Sequence, residues 1–159
     1  MGGDAQVAHE KTITGLLPAL GGLNLIYGAG MIESGVTIDY GTLVMDNDIA
    51  RISKFALRGI PTNDATLMVD EIIEVGSEED FLSRMSTLKL MREHQSKAGN
   101  IDRRVREEWE MDGGSDMYAR CNQMARDLVE NHKVPELPSD VKDQISAIVA
   151  KAEKDAGVA

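Results

Sequence analysis

Apolar positions along this chain recur mainly at helical spacing, with one short exception. Residues 23–27, Leu-Asn-Leu-Ile-Tyr, form a compact apolar run between Gly21-Gly22 and Gly28-Ala29-Gly30, which predicts a buried strand. Upstream, Ile13, Leu16, Leu17 and Leu20 share roughly one face and predict a helix over Ala5 to Leu20, with Pro18 in its last turn. Downstream, Met45, Ile49, Ile52 and Ala56 recur at i, i+4, i+7 and i+11 and predict a core-facing helix over Tyr40 to Leu57. Asp46, Asn47, Arg51, Lys54 and Arg58 fall around the rest of its circumference, and Asp46, Asn47 and Asp48 read as surface groups pointing in different directions. Residues 24–48 thus read as strand, glycine-punctuated loop and helix, the working unit of an α/β enzyme, whose chemistry collects at the strand's C-terminal end.

The remainder is helical. Asn63 is placed to cap a helix whose Leu67, Met68, Ile72 and Val75 form one face before Gly76. Phe81-Leu82-Ser83 suits a second, short strand, and Leu88 to Glu93 a helix. Asp102 caps a short segment in which Val105 and Trp109 lie four apart. After Gly113-Gly114, Ser115 starts a helix presenting Met117, Cys121, Met124 and Leu128. Beyond the proline-punctuated spacer at 134–138, Ser139 caps a final helix with Val141, Ile145, Ile148 and Ala152 inward. The fold class is therefore α/β, mostly helical, with one clear strand. A lone strand needs partners, so the expectation is part of a longer α/β chain. Residues 1–100 are read as a barrel segment and 101–159 as a helical extension.

Composition narrows the partners. The 159 residues are 42% hydrophobic with a net charge of -10, a globular balance that disfavours nucleic acid and anionic membrane surfaces. The same acidity leaves cationic or amine ligands electrostatically reasonable. The opening residues lack the charged and apolar regions of a secretory signal, so the cytoplasm is the expected compartment. Cys121 is the sole cysteine, and His9, His94 and His132 have no metal-ligand spacing, so no metal site is expected. Gly28-x-Gly30 carries Glu33 where a dinucleotide motif has its third glycine.

Several blocks in order then carry a resemblance. Residues 10–20, Glu-Lys-Thr-Ile-Thr-Gly-Leu-Leu-Pro-Ala-Leu, and residues 24–48 are similar to the trimethylamine–corrinoid protein methyltransferases of methanogenic archaea. So are Arg58-Gly59-Ile60-Pro61-Thr62-Asn63-Asp64, Glu74-Val75-Gly76, Asp80-Phe81-Leu82-Ser83, Ile101-Asp102-Arg103-Arg104, the Trp109 segment and the Pro138 helix. The resemblance implies the C-terminal part of a (β/α)8 TIM-type barrel. It also implies transfer of a methyl group from trimethylamine to the cobalt of a corrinoid (cobalamin) presented by a partner protein, feeding methanogenesis. The implied partners are that carrier, trimethylamine, the N-terminal portion of the same barrel and further copies of the full-length enzyme. The archaeal branch carries pyrrolysine, encoded by an in-frame amber codon, and its position is expected upstream of residue 1. Two alternatives stand beside this: a glycine betaine-type corrinoid methyltransferase, and a non-catalytic helical interaction module.

Demethylating an amine requires an electron-poor nitrogen, so the pocket must stabilise cationic nitrogen and move protons, work suited to a carboxylate and aromatic faces. Glu33, a few residues beyond the expected strand, is the catalytic candidate, against its reading as a loop carboxylate accepting backbone N–H bonds. Tyr27, Ser34 and Tyr40 are the substrate-binding candidates. Tyr27 either faces the barrel mouth or fills core, and Ser34 either bonds the adduct that the resemblance implies between the amine and the pyrrolysine imine or shapes the turn. Asp39 reads as a helix cap and Cys121 as core.

Overall fold

The computed structural model describes residues 3–97 and 99–158. Its elements are helix α1 (Ala5–Leu20), strands β1 (Met31–Ile32) and β2 (Thr37–Ile38), then helices α2 (Tyr40–Ala56), α3 (Asp64–Leu67), α4 (Val69–Val75), α5 (Met85–Glu93), α6 (Arg106–Met111), α7 (Met117–Asn131) and α8 (Ser139–Ala156). The chain is mostly helical with one small two-stranded sheet, consistent with the α/β class. It divides into two compact units, Met1–Asp127 and Leu128–Ala159.

In the first unit, Asp4 caps α1 by accepting from Val7 N (3.0 Å), and Asp39 caps α2 by accepting from Thr42 N (2.6 Å). The two helices pack together, but not through the expected leucine face of α1. Gly15 and Ala19 are buried while Ile13, Leu17 and Leu20 are exposed. Across α2, a Cβ at Gly41 would overlap the end of the Asn122 side chain of α7, so any larger residue there would have to displace that side chain. Met45, Cys121, Ala125 and Val75 are among the buried apolar residues, with Thr42, Asp48 and Ser53 buried beside them.

Two expected strands are absent. Residues 23–27 take no regular structure and leave Leu23, Leu25, Ile26 and Tyr27 exposed, since no segment among the described residues pairs with them as a strand. The sheet forms instead just downstream, where β1 and β2 pair antiparallel with Met31 opposite Ile38 and Ile32 opposite Thr37. Residues 81–83 form a turn in which Leu82 N donates to Asp80 Oδ1 (2.9 Å).

Asn63 does cap a helix, reciprocally with Thr66, but Met68 adopts a left-handed φ of 53° and divides the expected helix into α3 and α4. Asp102 accepts from Arg104 N (3.0 Å), and α6 starts three residues later than that cap would place it. In the second unit, Pro138 rather than Ser139 precedes α8, and no described residue of α8 is buried, Ile145 and Ile148 included. Among the described residues no helix is long and apolar enough to cross a membrane.

Candidate functional site

The turn between β1 and β2 holds two of the three non-glycine residues with positive φ among the described residues. Glu33 (φ 53°) and Ser34 (φ 57°) are both left-handed without being glycine, and Gly35 (φ 85°) follows. Each non-glycine residue held there costs about 1–2 kcal/mol, and such strain persists where the surroundings over-determine it, often at a working site. Glu33 Oε2 accepts from Thr37 Oγ1 across the hairpin (2.8 Å), and among the described residues Glu33 takes part in no ion pair.

Glu33, Ser34 and Tyr27 line one groove of about 490 Å³ between α1 and the hairpin, together with Asp4, Glu10 and Lys11. Tyr27 is 82% exposed, so its ring faces the groove and solvent rather than a core. Tyr40, the first residue of α2, is exposed and does not line the groove. The structure therefore brings together three of the four candidates. A second cleft of about 360 Å³ adjoins it, sharing Lys11, Thr14, Tyr27 and Gly28, with an apolar wall of Ile26, Leu43, Ile49 and Ala50.

Lys11 and Asp46 were not singled out as site residues by the sequence. Lys11 is the only cation of α1 besides the weakly basic His9, and that isolation is the one signal it gave. Its Nζ lies 2.7 Å from Asp46 Oδ2 and donates to the Gly28 carbonyl at 3.3 Å. The same Asp46 oxygen accepts from Gly30 N at 2.7 Å. Asp46 and Asp48 are thus not the surface groups expected from the pattern. Residues two apart on a helix point to opposite sides, and both sides of α2 are covered by backbone donors. Asp48 is 1% exposed and accepts from Gly99 N (3.2 Å), Asn100 N (2.9 Å) and Asn100 Nδ2 (2.9 Å). Asn47 alone of the three stays exposed.

Asp39 serves as the helix cap anticipated for it, and the Tyr118 hydroxyl also donates to it (3.1 Å). Burial raises the pKa of its carboxyl, but the hydrogen bonds from Thr42 and Tyr118 outweigh burial and hold it below the ordinary value. Burial pushes the Cys121 thiol up to about 11, with the Asp48 charge adding to it, as suits a core thiol and not a nucleophile. Among the described residues no group of three or more His, Cys, Asp or Glu could hold a metal ion.

Chemically, the groove presents three carboxylates and one ammonium, and that ammonium is already paired with Asp46. Each carboxylate accepts one hydrogen bond, Asp4 from Val7 N, Glu10 from Gln6 Nε2 (2.9 Å) and Glu33 from Thr37 Oγ1, and what sets Glu33 apart is its place on the left-handed turn. With Tyr27 beside it, the arrangement suits a small cation: a carboxylate supplies charge and an aromatic face supplies cation–π attraction.

A family model described as trimethylamine methyltransferase (MTTB) matches residues 2–157. The chain is 43% identical over 151 residues to trimethylamine methyltransferase MttB2 of Methanosarcina mazei, which covers 95% of this chain and 30% of that protein. It is 44% identical over 156 residues to trimethylamine methyltransferase MttB of Desulfitobacterium hafniense, covering 98% and 31%. Glycine betaine methyltransferase of the same bacterial species matches at 23% identity over 158 residues, covering 97% and 32%. The chain thus spans about a third of the length of the curated relatives it matches.

Proposed function

The chain belongs to the trimethylamine methyltransferase family, and we propose that it contributes to methyl transfer from trimethylamine to the corrinoid of a carrier protein. In this reading the segment forms part of a (β/α)8 barrel of a cytoplasmic, oligomeric enzyme whose product enters methanogenesis. The apolar residues left exposed at 23–27 support it, because such a run gains stability only when a neighbouring strand or sheet covers it.

The observation that carries the reading is Glu33, held on a strained turn, outside any ion pair among the described residues, beside the exposed ring of Tyr27. Glu33 stabilises the positive charge of the amine nitrogen and accepts or returns its proton. Tyr27 offers its ring face to the methyl-bearing cation, and Ser34 supplies a hydroxyl at the same turn. The groove, about 490 Å³, has ample room for a small amine, and in this reading the corrinoid stays with its carrier protein. Pyrrolysine is not among these 159 residues.

A betaine substrate fits less well. Its carboxylate would meet Asp4, Glu10 and Glu33, whereas trimethylamine brings only a cationic centre. The higher identity to the trimethylamine enzymes points the same way. Glu33→Gln in the intact enzyme is expected to lower the rate of methyl transfer from trimethylamine by about 100-fold. Transfer at the wild-type rate removes Glu33 from the mechanism.

A further inference from the structure

We propose that Lys11 and Asp46 act as a positioning pair that sets where the Glu33 turn stands, an inference that rests on the role assigned to Glu33 above. A single oxygen, Asp46 Oδ2, takes both the Lys11 ammonium and the Gly30 N–H, each at 2.7 Å. Lys11 also reaches the Gly28 carbonyl at 3.3 Å. Two charged side chains, one from α1 and one from α2, therefore grip both ends of the three-residue loop 28–30. That loop leads directly into β1, and Glu33 follows β1 without an intervening residue.

The grip is reinforced from within the same loop. Gly30 N–H meets Asp46 while the Gly30 carbonyl accepts from Asp39 N at 2.9 Å, so both polar groups of one residue are fastened to α2 or its cap. A Cβ at Gly30 would lie 3.0 Å from the Leu43 Cβ, which shows how closely the loop is drawn onto the helix. The pair is mostly shielded, with side-chain exposures of 20% for Lys11 and 10% for Asp46, so water screens it little. Neither residue needs to touch the amine. Their function is geometric: they hold the hairpin base so that the Glu33 carboxylate reaches the groove instead of relaxing away with the strained turn. Displacing a reacting group by about 1 Å costs about 100-fold in rate, which makes such a clamp worth keeping.

The test is a mutant cycle in the intact enzyme, measuring kcat and KM for methyl transfer from trimethylamine. Asp46→Asn keeps an acceptor for Gly30 N–H but loses the charge that holds Lys11, and Lys11→Met removes the other side of the pair. Each is expected to lower kcat/KM by roughly 10-fold to 100-fold, with Lys11→Arg recovering most of what Lys11→Met loses. Combined with Glu33→Gln, either substitution is expected to add no further loss, because both act through the same carboxylate. An equal loss in both backgrounds overturns the positioning role. A Glu33→Gln enzyme of full activity overturns the reading of Glu33 itself, and the pair's role with it. Exchange of the Gly30 amide provides a readout independent of activity: Asp46→Ala, which removes the acceptor of that N–H, should speed it at least 10-fold, and unchanged protection also overturns the clamp.

Discussion

Helices α2 and α8 carry apolar residues at identical spacing, 45, 49, 52 and 56 in one and 141, 145, 148 and 152 in the other. Their fates differ. Helix α2 buries Gly41, Thr42, Met45, Asp48 and Ser53, whereas no described residue of α8 is buried. Of the four stripe positions of α2 only Met45 is buried. Helix α2 is approached from several sides, by α1, by the 28–30 loop, by Gly99 and Asn100, and by Asn122 of α7. A periodic stripe therefore specifies that a helix forms and which side is apolar. What covers that side is decided by residues far away in sequence.

The strongest test of the contrast is to empty the buried site. Met45→Ala is expected to destabilise the fold by about 3 kcal/mol, through lost transfer energy and the cavity left among its neighbours. Urea denaturation of the wild type and variant measures it, and a loss below about 1 kcal/mol would show that α2 is no better packed than α8.

A smaller, pH-dependent effect sharpens the same contrast at Cys121, buried on α7 near Asp48. Its folded thiol titrates at about 11 against an ordinary 9.0, chiefly because of burial. The folded pKa is raised, so the associated stability is present in full below 9.0. It is lost as pH rises towards 11, where the unfolded chain gains by ionising first. Urea midpoints of the wild type should therefore fall over that window, and those of Cys121→Ala should fall less. Parallel declines would mean that solvent reaches the thiol.

Local signals carried much of this structure. Asp39 before the α2 stripe, Asn63 before α3 and the Gly21-Gly22 stop after α1 act within a few residues, and each stands where its chemistry places it. The grouping of Tyr27, Glu33 and Ser34 in one groove was also legible, because they lie on one short loop region. The strand expected at 23–27 was not, because strand formation depends on a partner edge that composition cannot reveal. Left-handed Glu33 and Met68 were equally hidden, since neither residue type advertises a positive φ. Asp46 and Asp48 were misplaced for the most instructive reason. Besides the Lys11 ammonium and the Asn100 side chain, their partners are backbone N–H groups of Gly30, Gly99 and Asn100, which any residue except proline can supply.

The smallest effect expected lies on α8. Ile148 is 68% exposed, so truncating it removes little buried area and leaves no cavity. Alanine is also the better helix former, by a few tenths of a kcal/mol, which offsets part of whatever contact is lost. Ile148→Ala is therefore expected to change the stability of this chain by less than about 0.5 kcal/mol in the same urea experiment. A loss near that of Met45→Ala would mean that the α8 stripe is covered in solution. Repeating the measurement over a range of protein concentrations then separates the two ways of covering it. A loss that grows with concentration assigns the cover to a second copy, because self-association stabilises by mass action. A loss independent of concentration assigns it to the same chain, and the contrast between the two helices disappears.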